Sequence, residues 1–166
     1  MTTASLDAAF RNAMRRLAAT VTVISTRAEN GLRHGMTATA VTSVSADPPA
    51  VLACVNRSAA LHAQLGLGRL LCINLLHCSQ QRLSEVFAAA SAEGEARFRV
   101  GDWQSDDQGV PYLADAQANV FCEIEALHAY GSHSVCIGRV LRAECRSDVA
   151  PLIYQDGAYM CTGPLG

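Results

Sequence analysis

Charged residues are scarce in this sequence, and long apolar runs are missing from it. Of the 166 residues 17% are charged, the formal net charge is -2 and the pI is near 6.2, which gives no basic footprint for nucleic acid or anionic lipid. No stretch approaches the roughly 20 apolar residues of a membrane span, and residues 1–16 lack the continuous apolar core of a secretory signal. We therefore expect a cytoplasmic protein that binds neither nucleic acid nor membranes.

Paired cysteines are also missing. The seven cysteines are an odd number and include no close CxxC pair, which argues against a disulfide framework and against a zinc site. Most of them lie in apolar runs, where a free cysteine behaves as a small hydrophobic residue. We expect no disulfides and no metal from this set, which consists of Cys54, Cys72, Cys78, Cys122, Cys136, Cys145 and Cys161.

The common nucleotide-binding and nucleophilic motifs do not occur. A GxGxxG element after a strand and a GxxxxGK loop are both absent, so any bound nucleotide must be held in another way. No acid pair, Ser-His-Asp set or Cys-His pair stands out, which leaves nucleophilic catalysis with little support.

Hydrophobic residues are abundant, at 50% of the chain. This share is above that of an ordinary globular protein, and we expect part of the surplus in a subunit interface or a ligand cleft. The length fits a single domain over residues 1–166.

Two amphipathic helices are predicted, in which apolar residues recur at helical spacing, and those of the second are expected to point inward. In the first, with Ser5 as N-cap, they are Phe10, Ala13, Met14 and Leu17. In the second, from Ser79 to about Ala90, they are Leu83, Val86, Phe87 and Ala90. A shorter helix is predicted from Ser58 to Leu65, before Gly66 and Gly68.

β-Branched residues and apolar alternation predict most of the remainder as strands. Residues 91–117 form a long polar connection, which predicts a lid or a cleft-lining loop. Because most strands are adjacent in sequence, with short helices inserted, we predict an antiparallel barrel rather than a doubly wound parallel sheet. The predicted strands are a pair at 20–26 and 36–45, a central strand at 50–55, and further strands at 70–76, 118–129, 134–145, 152–154 and 158–161.

The most informative segment runs from Gly35 to Pro49. If residues 36–45 form one strand, alternation puts the hydroxyl groups of Thr37, Thr39, Ser43 and Ser45 on one face. Short donors and acceptors of this kind suit a planar heterocycle that approaches the backbone closely. A solvated strand rich in threonine is the alternative interpretation.

Two further segments carry polar residues beside predicted strands. Asn56, Arg57 and Ser58 stand where a buried strand runs into a helix, and such a helix start can bind a phosphate, although Asn and Ser are also ordinary N-caps. His133 lies on a tight turn between two apolar strands, where it can contact a bound cofactor or serve only as a polar turn residue.

In this order these segments resemble the short-chain flavin reductases, which use FMN or FAD and partner two-component monooxygenases, within the FMN-binding split-barrel group. The resemblance covers nearly the whole chain, from Phe10 to Tyr154. The motifs that carry it are Gly35-Met-Thr-Ala-Thr-Ala, Ser43-Val-Ser-Ala-Asp-Pro-Pro, Val55-Asn-Arg-Ser, Cys72-Ile-Asn-Leu-Leu, Arg97-Phe, Trp103 with Gly109-Val-Pro, and Gly131-Ser-His.

The resemblance implies a mainly β fold with added helices: a six-stranded antiparallel Greek-key split barrel that forms a homodimer. It implies hydride transfer from NADH or NADPH to diffusible FMN or FAD, with the reduced flavin supplied to a partner monooxygenase. His133 would be the catalytic residue that places the nicotinamide, although the family turn often reads Gly-Asp-His and Ser132 stands here in the middle. The implied flavin-binding residues are Thr37, Ala38, Thr39, Ser43, Val44, Ser45, Cys54, Val55, Asn56, Arg57, Ser58, Asn74, Arg97 and Phe98, with His133 beside them.

Two other functions fit the same resemblance. One is a flavoprotein that holds its flavin tightly and reduces a cobalt corrinoid. The other is a non-catalytic split-barrel module that binds flavin or haem, in which case His133 has no chemical role.

Overall fold

A computed structural model describes residues 3–89 and 94–163. This part of the chain is mainly β, as the sequence predicts. Its elements are α1 (Thr3–Met14), β1 (Ala19–Thr20), β2 (Thr22–Arg27), β3 (Arg33–Ala38), β4 (Val41–Ala46), β5 (Pro49–Asn56), β6 (Leu70–Leu75), α2 (Gln81–Ala88), β7 (Trp103–Ser105), β8 (Pro111–Leu113), β9 (Ala118–Tyr130), β10 (His133–Cys145), β11 (Leu152–Gln155) and β12 (Ala158–Cys161).

One antiparallel sheet of seven strands dominates the fold, in the order β3-β2-β6-β9-β10-β5-β4. Its two edge strands, β3 and β4, are consecutive in the chain and are joined by only Thr39 and Ala40. A link this short keeps the joined strand ends within about 11 Å of each other, so the sheet has to curl until its edges approach. The structure therefore shows seven strands in one sheet with two free edges, and not the expected six. Two smaller sheets have the orders β1-β11-β12 and β7-β8.

The predicted continuous strand at 36–45 is wrong. Ala38 pairs with Thr22 on β2, whereas Val41 pairs with Ala53 on β5. The chain therefore leaves one edge of the sheet and enters the other at Thr39 and Ala40. As a result, Thr37 and Ser43 do not share one strand face. The predicted central strand at 50–55 also needs correction. It is part of β5, which is second from the sheet edge, whereas β9 is central.

The predicted helices are partly confirmed. In α2 the side chains of Leu83 and Phe87 are buried as expected, while Ala90 lies outside the described residues. The first helix forms, but it begins at Thr3, so that Ser5 is inside it and not at its N-cap. Residues 58–65 form turns and a single 3₁₀ turn at His62–Gln64 rather than an α-helix.

The first helix does not bury its apolar residues within this chain. The described residues leave them largely open to solvent. The exposed fraction is 60% for Leu6 and Phe10 and 45% for Met14, and Leu17, just after the helix, is 62% exposed.

The predicted lid over residues 91–117 is mostly a packed segment. It contains a 3₁₀ helix at Glu95–Arg99 and the β7–β8 hairpin, and Leu113 is completely buried. Phe87, Phe98 and Trp103 form an aromatic cluster in which the ring centroids are 4.8–5.1 Å apart. This cluster joins α2 to the segment and supports the region beneath β3.

Burial accounts for the cysteines inside the sheet. Desolvation raises the pKa of the Cys122 thiol to about 12 and that of Cys136 to about 11, so both thiols stay protonated at neutral pH and pack as small apolar groups. All seven cysteines are free, and Cys145 and Cys161 are exposed.

The described residues include no cluster of three metal-binding side chains. None of their helices is long and apolar enough to cross a bilayer.

Asn74 ties the middle of the sheet to the β7–β8 hairpin. Its side chain is fully buried, and its Nδ2 donates hydrogen bonds to the Val23 carbonyl at 2.8 Å and to Ser25 Oγ at 2.9 Å. Its Oδ1 accepts a hydrogen bond from the Leu113 backbone N–H at 2.8 Å. These bonds satisfy both ends of the amide inside the core, so Asn74 has a structural role in joining the sheet to the hairpin.

We predict that Asn74→Ala destabilises the protein. The change leaves the Leu113 N–H and the Val23 carbonyl with one partner fewer in a dry core, which should lower the free energy of unfolding by about 2–4 kcal/mol. Urea unfolding measures this effect, and Asn12→Ala on the exposed surface of α1 is the matched control. A variant as stable as the wild type would contradict the structural role.

Candidate functional site

A cleft of about 690 Å³ lies along β3, which is within the range of small-molecule sites. Between His34 and Thr39 the strand spans about 16 Å at its usual rise per residue. The other walls come from α2, from the turn after β5 and from the β11–β12 hairpin. The lining residues are Val21, His34, Gly35, Met36, Thr37, Ala38, Thr39, Asn56, Ser58, Ala59, Ala60, Leu61, Ser84, Phe87, Ala88, Ala89, Gly94, Arg97, Tyr154 and Tyr159.

The outer edge of β3 supplies backbone hydrogen-bonding groups to this cleft. Two side chains mark which residues point outward: Glu95 accepts a hydrogen bond from the Arg33 N–H, and Arg97 donates one to the Gly35 carbonyl. Backbone groups alternate in direction along an antiparallel edge strand. The N–H and C=O of Thr37 therefore point the same way, into the cleft, as an adjacent donor and acceptor.

Gly35 allows the strand to pass close to the aromatic cluster. A Cβ atom at this position would lie 2.6 Å from Phe87 Cε1 and 3.3 Å from Phe98 Cζ, and the first distance is well inside van der Waals contact. Any side chain here would displace the ring of Phe87, which lines the cleft. The glycine thus fixes the position of the cleft floor.

Arg97 provides a cation with an unused donor. Its Nη1 donates a hydrogen bond to the Gly35 carbonyl at 3.2 Å and its Nη2 donates one to the Ala89 carbonyl. Its Nε is buried and has no hydrogen-bond partner among residues 3–89 and 94–163. A buried donor without a partner is unfavourable, and here it belongs to a residue that lines the cleft.

The nearby carboxylate of Glu95 is already paired with another residue. It accepts hydrogen bonds from the Arg33 N–H at 3.0 Å and from Arg33 Nε at 2.7 Å. Partial burial acts to raise the pKa of Glu95, but the bonds from Arg33 outweigh this and hold the pKa below its usual value. Glu95 is thus ionised, and its carboxylate is paired with Arg33 rather than with the Arg97 guanidinium.

At the other end of the cleft, Asn56 and Ser58 form a polar turn. Asn56 Oδ1 accepts hydrogen bonds from the Ser58 N–H at 3.0 Å and from Ser58 Oγ at 2.9 Å. These contacts engage the oxygen of the amide, so its two N–H donors can face a ligand. Residues 56–58 lead into turns and not into an α-helix, so the helix start that was predicted here is wrong.

The cleft brings together some of the sequence-predicted site residues. Those among its lining residues are Thr37, Ala38, Thr39, Asn56, Ser58 and Arg97. Val55 and Phe98 are buried in two different hydrophobic clusters, and Asn74 is in the core. Cys54 lies on β5, and its backbone N–H donates a hydrogen bond to the Ala40 carbonyl just before β4. Ser43, Val44 and Ser45 lie on edge strand β4, outside the cleft.

His133 lies at the rim of the cleft. It is the cross-strand partner of Asn56, and directly opposed residues project from the same face of a sheet. Its Nδ1 is 2.9 Å from Ser132 Oγ, so the serine hydroxyl contacts the imidazole where the family pattern has a carboxylate. Arg57 stays on the surface of this turn, with its backbone N–H bonded to the Ser132 carbonyl.

Several cleft residues carry no local sequence signal. Ser84 and Phe87 look like ordinary residues of an amphipathic helix, and Tyr154 and Tyr159 like residues of a short hairpin. His34 precedes the motif that drew attention to β3. The topology alone brings these side chains to one cavity.

Comparison with known proteins identifies relatives along nearly the whole chain. Residues 14–163 match the family model described as "Flavin reductase like domain". The reductase component of an FADH(2)-dependent resorcinol hydroxylase from Rhizobium sp. is 43% identical, over 95% of this chain and 88% of that protein. An FMN reductase (NADH) from Methylorubrum extorquens is 38% identical, over 92% of this chain and 75% of that protein.

A solved structure has the same fold. It is an NADH:FAD oxidoreductase from Streptomyces globisporus in complex with NAD and FAD fragments. Its TM-score is 0.87 at 27% identity, with 99% of this chain and 97% of that chain covered.

Proposed function

Since the chain belongs to the family of flavin reductase-like domains, we propose that it transfers a hydride from NADH to FMN or FAD held in the cleft along β3. The reduced flavin then serves a partner monooxygenase. The observation that carries this proposal is the cleft itself, which is lined by both the free edge of β3 and Arg97.

The cleft residues fit a flavin. The isoalloxazine ring is flat and carries alternating carbonyl and N–H groups along its pyrimidine edge. The adjacent N–H and C=O of Thr37 offer a matching donor and acceptor, and the small side chains of Thr37, Ala38 and Thr39 let the ring approach the backbone. The free N–H donors of the Asn56 amide can bind the polar end of the ribityl phosphate.

The flavin supplies the redox chemistry, since its ring accepts the hydride. The protein orients the ring along the edge of β3 and holds a positive charge near it. The Arg97 guanidinium is already oriented by Gly35 and Ala89, so it can stabilise the negative charge that reduction adds without reorganising. His133 at the rim is positioned to help bind the nicotinamide that arrives from solvent.

Anaerobic stopped-flow absorbance with NADH and excess free FMN or FAD tests the function. Bleaching of the flavin over many turnovers supports a reductase whose flavin diffuses away. Bleaching that stops at one bound flavin supports the tightly bound flavin of a corrinoid reductase, and no bleaching supports a binding module. Either of the last two results contradicts the proposal.

Arg97→Leu should weaken the binding of reduced flavin more than that of oxidised flavin. A hydrogen bond to a charged group contributes about 1.5–3 kcal/mol, which corresponds to roughly a 10- to 150-fold loss of affinity for the reduced form. Anaerobic titration of both redox forms measures the difference. Arg99→Leu, on the exposed part of the same 3₁₀ helix, is the control, and equal losses in the two variants would contradict the role of Arg97.

His133→Ala should raise the KM for NADH and leave the dissociation constant of the flavin nearly unchanged. The reason is its position at the rim, next to Asn56 but outside the cleft lining. Steady-state kinetics and a flavin titration separate the two effects, and His128→Ala at another exposed position on β9 is the control. An unchanged KM for NADH would remove the nicotinamide-binding role.

We also propose that the protein works as a homodimer with a split-barrel fold. The curled seven-stranded sheet, with free edges at β3 and β4, supports the split-barrel description. The dimer is supported by the apolar stripe of α1, which consists of Leu6, Phe10 and Met14 and continues to Leu17 just after the helix. These side chains are 45–62% exposed in a single chain. Contiguous exposed apolar surface of this kind is typical of an interface.

Phe10→Asp should convert the dimer to monomers, since it places a charge at the centre of this stripe. Light scattering coupled to size exclusion measures the mass. Leu67→Asp is the matched control, because Leu67 is 71% exposed on a different part of the surface and should not affect assembly. A Phe10→Asp protein that remains a dimer would show that α1 is not the interface.

A further inference from the structure

Two tyrosines of the β11–β12 hairpin face the cleft as a pair. Tyr154 and Tyr159 are directly opposed across the hairpin, with ring centroids 5.2 Å apart and an interplanar angle of 63°. The hairpin turn is Asp156-Gly157, and both residues have positive φ, at 50° and 85°, as a two-residue turn that matches the strand twist requires. The turn fixes the register that brings the two rings together.

Tyr159 is held in place by α2. Its hydroxyl lies 2.9 Å from Ser84 Oγ, and Ser84 is fully buried. The Ser84 carbonyl in turn accepts a hydrogen bond from Thr37 Oγ1 at 2.7 Å. Tyr159 is thus connected through α2 to the strand that forms the opposite side of the cleft.

The hairpin is anchored at its turn as well. Asp156 Oδ1 accepts a hydrogen bond from Arg15 Nε, and its backbone N–H donates one to the Arg15 carbonyl, both at 3.0 Å. Gln155 Nε2 donates a hydrogen bond to the Arg16 carbonyl at 3.1 Å. The hairpin is therefore fixed at both ends, and Tyr154, which contacts Tyr159 edge to face, has a defined position.

Tyr154 differs from the other aromatic residues of the cleft. Phe87 is 2% exposed and packs against Phe98 and Trp103, and the Tyr159 hydroxyl is bonded to Ser84. The Tyr154 side chain leaves 39% of its surface exposed. The small residues Thr37 to Thr39 line the same cleft as Tyr154, so a flat ring bound there can contact both the backbone of β3 and Tyr154.

We infer that Tyr154 is an aromatic platform that positions the flavin ring, with Tyr159 and Ser84 as the residues that hold this platform in place. The inference rests on the proposed function, because it assigns the ring in the cleft to the flavin. Face contact between an aromatic side chain and a heterocycle is tolerant of small shifts, and removing such a side chain typically weakens binding several-fold to about a hundredfold. Tyr154 then contributes to flavin affinity in addition to the backbone contacts of β3.

The test compares three variants in flavin titrations and flavin fluorescence. Tyr154→Ala should raise the dissociation constant of FMN about tenfold, and Tyr154→Phe should retain most of the affinity. A tyrosine in face contact quenches flavin emission by donating an electron to the excited ring, whereas phenylalanine does not. Bound FMN should therefore be brighter in Tyr154→Phe than in the wild type, a change that a purely structural role would not produce. Met160→Ala, on the same hairpin but outside the cleft lining, should match the wild type in both measurements.

The results separate this inference from the proposed function. If the wild type reduces flavin with NADH but Tyr154→Ala binds FMN as the wild type does, the platform is wrong and the function stands. A loss confined to the KM for NADH would also overturn it, since the ring against Tyr154 would then be the nicotinamide. Failure of the wild type to bind FMN would overturn both. Tyr154-dependent binding of FMN without NADH oxidation would support the platform and contradict the function.

Discussion

The free edge of β3 is the constraint on which the rest of the site depends. A strand at the edge of a sheet presents alternate backbone N–H and C=O groups that its neighbour does not use. In this chain Glu95 and Arg97 bond to the groups of Arg33 and Gly35, and the next outward residue, Thr37, faces the cleft. The side chains of Glu95 and Arg97 thereby cover part of the β3 edge, and the backbone groups of Thr37 remain available to a ligand.

Each wall of the cleft is positioned relative to this edge. The aromatic cluster beneath Gly35 sets its depth, and Thr37 bonds to α2 through the Ser84 carbonyl. The two-residue link after Ala38 sends the chain to the opposite edge of the sheet, and β5 then returns to Asn56 at the end of the cleft. A ligand in this space contacts residues that are far apart in sequence, held by hydrogen bonds of the core and not by a single motif.

The strand content and much of the pairing could be predicted from the sequence because alternation and hairpin turns are local signals. The pairing of β2 with β3 and that of β9 with β10 follow from such patterns. The break between β3 and β4 could not be predicted, since Thr39 and Ala40 are compatible with a continuing strand and only the closure of the sheet separates them. Residues 58–65 have good helix formers, but the chain turns there to meet the sheet.

Part of the candidate site could also be predicted, because some of its residues lie in local sequence motifs. Thr37 and Arg97 lie in motifs that the family resemblance carries, and both line the cleft. Asn74 is a polar residue within an apolar strand. This pattern is equally typical of a ligand-binding residue and of a buried residue with several hydrogen bonds, and only the contacts in the structure distinguish the two roles. The tyrosines of the β11–β12 hairpin could not be placed, because their proximity to β3 depends on contacts across most of the chain.

The attachment of this hairpin to Arg15 has a consequence for the order in which the molecule assembles. The bond between Arg15 and Asp156 joins residues 141 positions apart, and contacts of such high sequence separation are costly to form early because the intervening chain loses entropy. The seven-stranded sheet does not include the hairpin, so the edge of β3 and the tyrosine wall belong to separate sheets. A ligand that contacts both walls therefore stabilises the attachment between them, and with it the folded state.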